Sequence, residues 1–124
     1  MTENKISFHD FIKILSYDVV KNYACIEINF YVDNCLDYTS CWLGKTIEKD
    51  TNTEVYWYGL AKDGSQAYDF YTIDDFINAN VFCGESIKEI WDSISLYNID
   101  SCGIGERLQF YLGQESQPIR RPAK

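Results

Sequence analysis

Long apolar runs are missing from this sequence, so nothing in it is expected to span a membrane. No apolar stretch follows the opening Met-Thr-Glu-Asn-Lys, and no secretory signal is expected there. The five cysteines (Cys25, Cys35, Cys41, Cys83 and Cys102) therefore read as reduced thiols of a cytoplasmic protein. Their number is odd and no pair has C-x-x-C spacing, which argues against a zinc knuckle or a dithiol redox site. Cys25, Cys41 and Cys83 sit in or beside apolar runs and are expected as small core residues. Histidine occurs once, at His9, on the wetter face of a predicted helix, so a Cys–His nucleophile has poor support. G-x-S-x-G, the Walker loop, G-x-G-x-x-G and the calcium-loop pattern are all absent, and Gly103-Ile104-Gly105 reads as a turn. No catalytic residue, metal ligand or cofactor is assigned on these grounds.

Positive charge is also scarce. Eleven Lys and Arg stand against nineteen Asp and Glu, a net charge of −8. Three of the bases, Arg120, Arg121 and Lys124, lie in the last five positions, leaving residues 1–113 with 18 acids against 8 bases. Such a body repels phosphate at long range, which disfavours direct binding of nucleic acid or an anionic membrane and suits a basic protein partner.

What the chain has in quantity is apolar and aromatic surface. Hydrophobic residues make up 46% of its 124 positions, with seven Phe, ten Tyr and three Trp. That is too much apolar area to leave in water, and the length suits one domain. We expect a compact domain over residues 1–113 and a mobile basic tail over 114–124.

Periodicity predicts a helix over 7–16, capped by Ser7, with Phe8, Phe11, Ile12 and Leu15 as its buried stripe. Alternation over 23–32 predicts a strand with Ala24, Ile26, Ile28, Phe30 and Val32 inward. Strands over 39–48, 54–61 and 67–71 follow as a meander, broken at 49–53 and at a tight turn holding Gly64. In the expected register Ile47 faces Val55, Gly44 lies under Tyr58, and Lys45 meets the Trp57 indole. Thr72 caps a helix carrying Ile73, Phe76 and Ile77. Ser86 and Glu89 form a capping box that opens a second, with Ile87, Ile90, Trp91 and Ile94 inward. A last helix over 104–112 buries Ile104, Leu108, Tyr111 and Leu112 and ends at Gly113. The fold class is α+β: an antiparallel sheet of about four strands, with an N-terminal helix and two or three C-terminal helices.

Two groups are candidate sites. Glu85, Glu89 and Asp92 would present carboxylates from the predicted second helix to a basic partner. Trp42, Tyr56 and Tyr58 would line an aromatic sheet face able to take a small molecule or peptide. The expected function is a small, acidic, non-enzymatic intracellular binding protein. One form is an inhibitor, either a toxin-neutralising immunity protein or a phage-type inhibitor of a nucleic-acid enzyme. The alternatives are the small-molecule or peptide module and an enzyme with an unfamiliar carboxylate-based site.

Overall fold

The computed structural model describes residues 4–61 and 64–116. Five strands, β1 (Ile26–Val32), β2 (Cys41–Glu48), β3 (Thr53–Gly59), β4 (Ala67–Phe70) and β5 (Ile94–Ile99), form one sheet in the order β4-β3-β2-β1-β5. Every pairing is antiparallel. Four helices accompany it among the described residues: α1 (Phe8–Leu15), α2 (Val19–Asn22), α3 (Ile73–Asn78) and α4 (Ile104–Ser116). The architecture is α+β, with helices packed on one face of a meander that a fifth strand closes beside β1.

The N-terminal helix forms as its sequence implies. Ser7 Oγ accepts the Asp10 N–H at 3.0 Å, and Phe11, Ile14 and Leu15 are fully buried. Ile14 takes the place expected for Phe8 and Ile12, which are only partly covered. Asp18 caps α2, a four-residue helix in a stretch to which the sequence reading assigns no element. Tyr23 ends it in the left-handed region, so the strand begins at Ile26 rather than at residue 23. Along β1, Ile26, Ile28 and Phe30 point into the core.

Pairing of β2 with β3 is slipped by one residue from the expected register. Lys45 faces Tyr56, Gly44 faces Trp57, and Ile47 faces Glu54. The reason is burial: this register puts Cys41, Leu43, Tyr56 and Tyr58 all on the inner face, where each is buried. Tyr58 stacks on Phe76 of α3 at 4.1 Å and donates its hydroxyl to the Phe76 carbonyl at 2.8 Å.

The largest departure lies at 86–99. Ser86 and Glu89 do make the capping-box bonds, Glu89 N–H to Ser86 Oγ at 3.2 Å and Ser86 N–H to Glu89 Oε1 at 2.9 Å. Yet the segment continues as turns and one 3₁₀ turn, Trp91–Ser93, before Ile94 opens β5. Ile94, Leu96 and Ile99 find inward places against Val32, Phe30 and Ile28 of β1. Sheet pairing over that length outweighs one further turn of helix. Trp91 is buried nonetheless: it stacks on Phe11 at 4.3 Å and donates its indole N–H to the Ile6 carbonyl at 2.8 Å.

Two smaller corrections follow, at Gly113 and at two of the cysteines. Gly113 lies within α4, which runs to Ser116. Residues 117–124 of the expected tail lie outside the described residues. Cys25 and Cys83 are exposed, and only Cys41 is a core thiol, where burial pushes its pKa up to about 11. Cys25 precedes the strand, and Cys83 occupies a two-residue hairpin with Gly84 (φ 52° and 90°), which holds it at the surface.

One basic side chain is sealed inside. Lys45 is 2% exposed. Its ammonium donates to the Leu15 carbonyl at 2.7 Å and the Tyr17 carbonyl at 2.8 Å. It also pairs with Glu54 at 3.2 Å and lies 5.1 Å from the Tyr56 ring centroid. Desolvation pulls its pKa below the usual lysine range, with Glu54 opposing. Lys45→Ala strands two carbonyls and a carboxylate, and we expect a loss of about 3–5 kcal/mol in urea unfolding. Lys45→Met keeps the packed stem and should lose less.

Buried phenols set the alkaline limit. Desolvation raises the pKa of Tyr38, Tyr58 and Tyr111 above the ordinary 10.0. Unfolding frees these protons above that value, so their stabilisation is complete below about pH 10 and lost as pH rises further. Lys45 has the opposite sign, since its lowered pKa favours folding as pH climbs towards 10.5. Three phenols outweigh one ammonium. The urea midpoint should fall above about pH 10, with phenolate absorbance appearing together with unfolding; a midpoint steady through about pH 12 would contradict this.

Candidate functional site

Strand alternation leaves the second face of the sheet to polar and aromatic side chains. Its outward positions are Glu27, Asn29 and Tyr31 on β1, and Trp42, Gly44, Thr46 and Glu48 on β2. Across from them stand Thr53, Val55, Trp57 and Gly59 on β3, and Ala67 and Asp69 on β4. On β5 a bulge opposite Asn29 and Phe30 leaves Tyr97 half exposed at 51%. Of the positions on β1 to β4, Glu27, Trp42, Glu48, Ala67 and Asp69 are exposed, Gly44 and Val55 are buried, and the rest are half-buried. They include three carboxylates, Glu27, Glu48 and Asp69, and no cation, because Lys45 is the only basic residue in the five strands.

Two cross-strand rows define the middle of this face. One runs Glu27, Gly44, Trp57, Asp69; the next runs Asn29, Trp42, Gly59, Ala67. Each tryptophan thus stands opposite a glycine. The two glycines do different work. At Gly44 an added Cβ would lie 2.0 Å from the Ile26 carbonyl oxygen and 2.7 Å from the Trp57 ring. The indole of Trp57 therefore lies down in the space that Gly44 leaves. At Gly59 the nearest atoms to an added Cβ are 3.9 and 4.0 Å away, on Trp57 and Trp42. That space stays open. It is part of a groove of about 500 Å³ lined by Glu27, Ser40, Trp42, Trp57, Gly59 and Ala61.

The expected aromatic trio does not come together here. Trp42 is on the outer face, 37% exposed. Tyr56 and Tyr58 are on the inner face, 8% and 1% exposed and packed on Phe76. The one-residue register decides this. Trp57, Glu27 and Asp69 take the places beside Trp42. The signal for Trp57 was present in the sequence, as an aromatic residue covering Gly44 from the next strand, but the register assigned that cover to Tyr58.

Glu85, Glu89 and Asp92 are all exposed, though not as an array on a helix. Glu85 closes the Cys83–Gly84 hairpin, Glu89 is engaged by the Ser86 N–H, and Asp92 lies in the 3₁₀ turn, its carbonyl accepting from Lys5 at 3.0 Å.

Other polar clusters are tied into the fold. Asp100 accepts the Glu27 N–H at 2.9 Å, the Arg107 guanidinium at 2.7 Å and the Tyr111 hydroxyl at 2.5 Å, which fastens α4 to the sheet. Lys5 binds Asp33 at 2.6 Å, and Ser95 donates to the same carboxylate at 2.6 Å. Those two bonds, led by Lys5, hold the Asp33 carboxyl below its usual range. Tyr38 Oη and Cys83 Sγ meet at 3.3 Å beside a second groove near Gln66, Tyr68 and Asn80. Among the described residues, no group of three or more His, Cys, Asp and Glu side chains is placed to hold a metal ion. No helix there is long and apolar enough to cross a membrane.

No family model, curated protein or solved structure matches the chain.

The two glycines should respond unequally to the same change. Gly44→Ala drives a methyl into a backbone carbonyl and should cost more than about 3 kcal/mol, or prevent folding. Gly59→Ala fills open space and should stay within about 0.5 kcal/mol of the parent. Equal losses in urea titrations would show that Trp57 does not rest on Gly44.

Proposed function

We propose that the protein is a non-enzymatic docking protein whose outer sheet face binds a basic protein. One observation carries this reading: the outer face presents Trp42, Trp57, Tyr31 and Tyr97, exposed or half-buried, together with the exposed Glu27, Glu48 and Asp69, and its strands offer no competing cation. Aromatic anchors within a rim of one charge are what a protein interface uses for affinity and steering respectively. A net charge of −8 opposes docking on nucleic acid, on anionic lipid or on a second copy of the chain. An inhibitor of a basic enzyme, including a toxin-immunity or phage-type inhibitor acting in the cytoplasm, is the form that best fits this chemistry. Glu85, Glu89 and Asp92 offer a second docking patch, favoured only by their exposure.

Affinity capture at low salt from the source cell, with three baits, separates the two patches. The baits are the parent chain, a Trp42→Ala/Glu27→Lys variant and a Glu89→Lys/Asp92→Lys variant. A basic protein held by the first and third but lost by the second supports the outer face, and its association should slow steeply with salt. Loss with the third bait alone moves the site to 85–92. Recovery of no protein by any bait overturns the docking function.

A further inference from the structure

The groove between the two tryptophans has the makings of a cation pocket, and the geometry points to an arginine side chain as its occupant. This inference rests on the docking function and specifies which group of the basic partner enters the site. Three features converge. Trp42 and Trp57 line the groove from neighbouring strands, and the missing side chain of Gly59 leaves its floor open. Glu27, exposed, stands at its wall. Asp69, exposed on β4, flanks Trp57 on the side away from Glu27 in the same cross-strand row.

An indole face attracts a cation through its quadrupole, and a carboxylate beside it adds charge-assisted hydrogen bonds. Guanidinium suits both at once: it is planar, so it stacks on indole, and it offers a fork of donors to a carboxylate. Ammonium is compact and strongly hydrated, so it loses more water to reach the same place. A neutral apolar ligand would leave Glu27 without a counter-charge in a partly closed groove. Among the described residues the one guanidinium, Arg107, is already committed to Asp100 and Tyr111 and lies over the Phe110 ring.

The test uses the isolated full chain and defined probes: N-acetyl-arginine amide, N-acetyl-lysine amide and N-acetyl-citrulline amide, the last a neutral isostere of arginine. Indole N–H resonances in a nitrogen–proton correlation spectrum report each tryptophan separately. Trp91, buried and bonded to the Ile6 carbonyl, is the internal reference. The arginine probe should shift Trp42 and Trp57 saturably in the millimolar range and leave Trp91 in place, with lysine weaker and citrulline without effect. Glu27→Gln/Asp69→Asn should weaken the arginine probe by about fivefold or more. Gly59→Leu, which fills the floor, should abolish the shift while Trp91 stays where it was. Equal shifts from arginine and citrulline, or shifts that never saturate, overturn the cation pocket. A partner that needs the outer face while the arginine probe fails would leave the docking function standing and remove only this occupant. An arginine response with no protein captured would do the reverse.

Discussion

The Lys45 ammonium is the contact on which the two layers of this molecule depend. It rises from a central strand and reaches the carbonyls of Leu15 and Tyr17, where α1 ends and the chain turns towards α2. Those carbonyls have no further helical partner, so a donor from the sheet fixes the place at which the N-terminal segment must cross it. Glu54 supplies the counter-charge from the neighbouring strand, and Tyr56 closes the site from beside it. A buried ammonium tolerates few alternative positions, because each lost partner leaves a charge uncompensated. The contact is therefore made only in the observed register of β2 against β3. A slip by one would turn Lys45 to the outer face and Gly44 to the core, and the space that seats Trp57 would vanish with it.

Much of this was legible in the residue pattern. Ser7 and Thr72 announced helix starts that the structure keeps, and the alternation of β1 marked its buried face. The meander followed from short polar connections. The failures share a physical origin: each is decided by contacts remote in sequence. Ile87, Ile90, Trp91 and Ile94 have helical spacing, and a capping box stands before them. The same four residues serve equally well as a turn whose last isoleucine enters a strand, and only β1 tells the difference. The sheet register is similar. Alternating aromatics at Tyr56, Trp57 and Tyr58 show that one face is buried and not which one; burial of Cys41 and Leu43 beside Tyr56 and Tyr58 settles it, and Lys45 goes inward with them. The outer site shared that fate, since a slip of one residue exchanges Tyr58 for Trp57 and hides Glu27 and Asp69 from view.

Both faces of the sheet use aromatic rings, under opposite electrostatic conditions. Inside, Tyr58 stacks on Phe76 and Trp91 on Phe11, and the Tyr58 hydroxyl and the Trp91 N–H each donate to a backbone carbonyl. Outside, the rings stand among the carboxylates of Glu27, Glu48 and Asp69, each exposed to water. Carboxylates on an exposed sheet face also discourage two such sheets from meeting, since like charges would be brought together. The acidity that suits a basic partner thus guards a sticky aromatic surface while no partner is bound.

The position of β5 gives the molecule a history as well as a shape. Glu27 and Asp100 are joined although 73 positions separate them, and β5 lies at the opposite end of the sheet from β4, the strand that precedes it in the chain. During synthesis, β1 to β4 leave the ribosome as a meander that can pair locally, with one flank of β1 bare. That flank waits for the crossover through α3 and the 3₁₀ turn before Ile94, Leu96 and Ile99 can close the core. For that interval the nascent chain carries an open strand edge of alternating isoleucine and phenylalanine, the arrangement most prone to pairing with a neighbour. Until β5 is made and paired, that edge of β1 is where the growing chain is most open to the wrong neighbour.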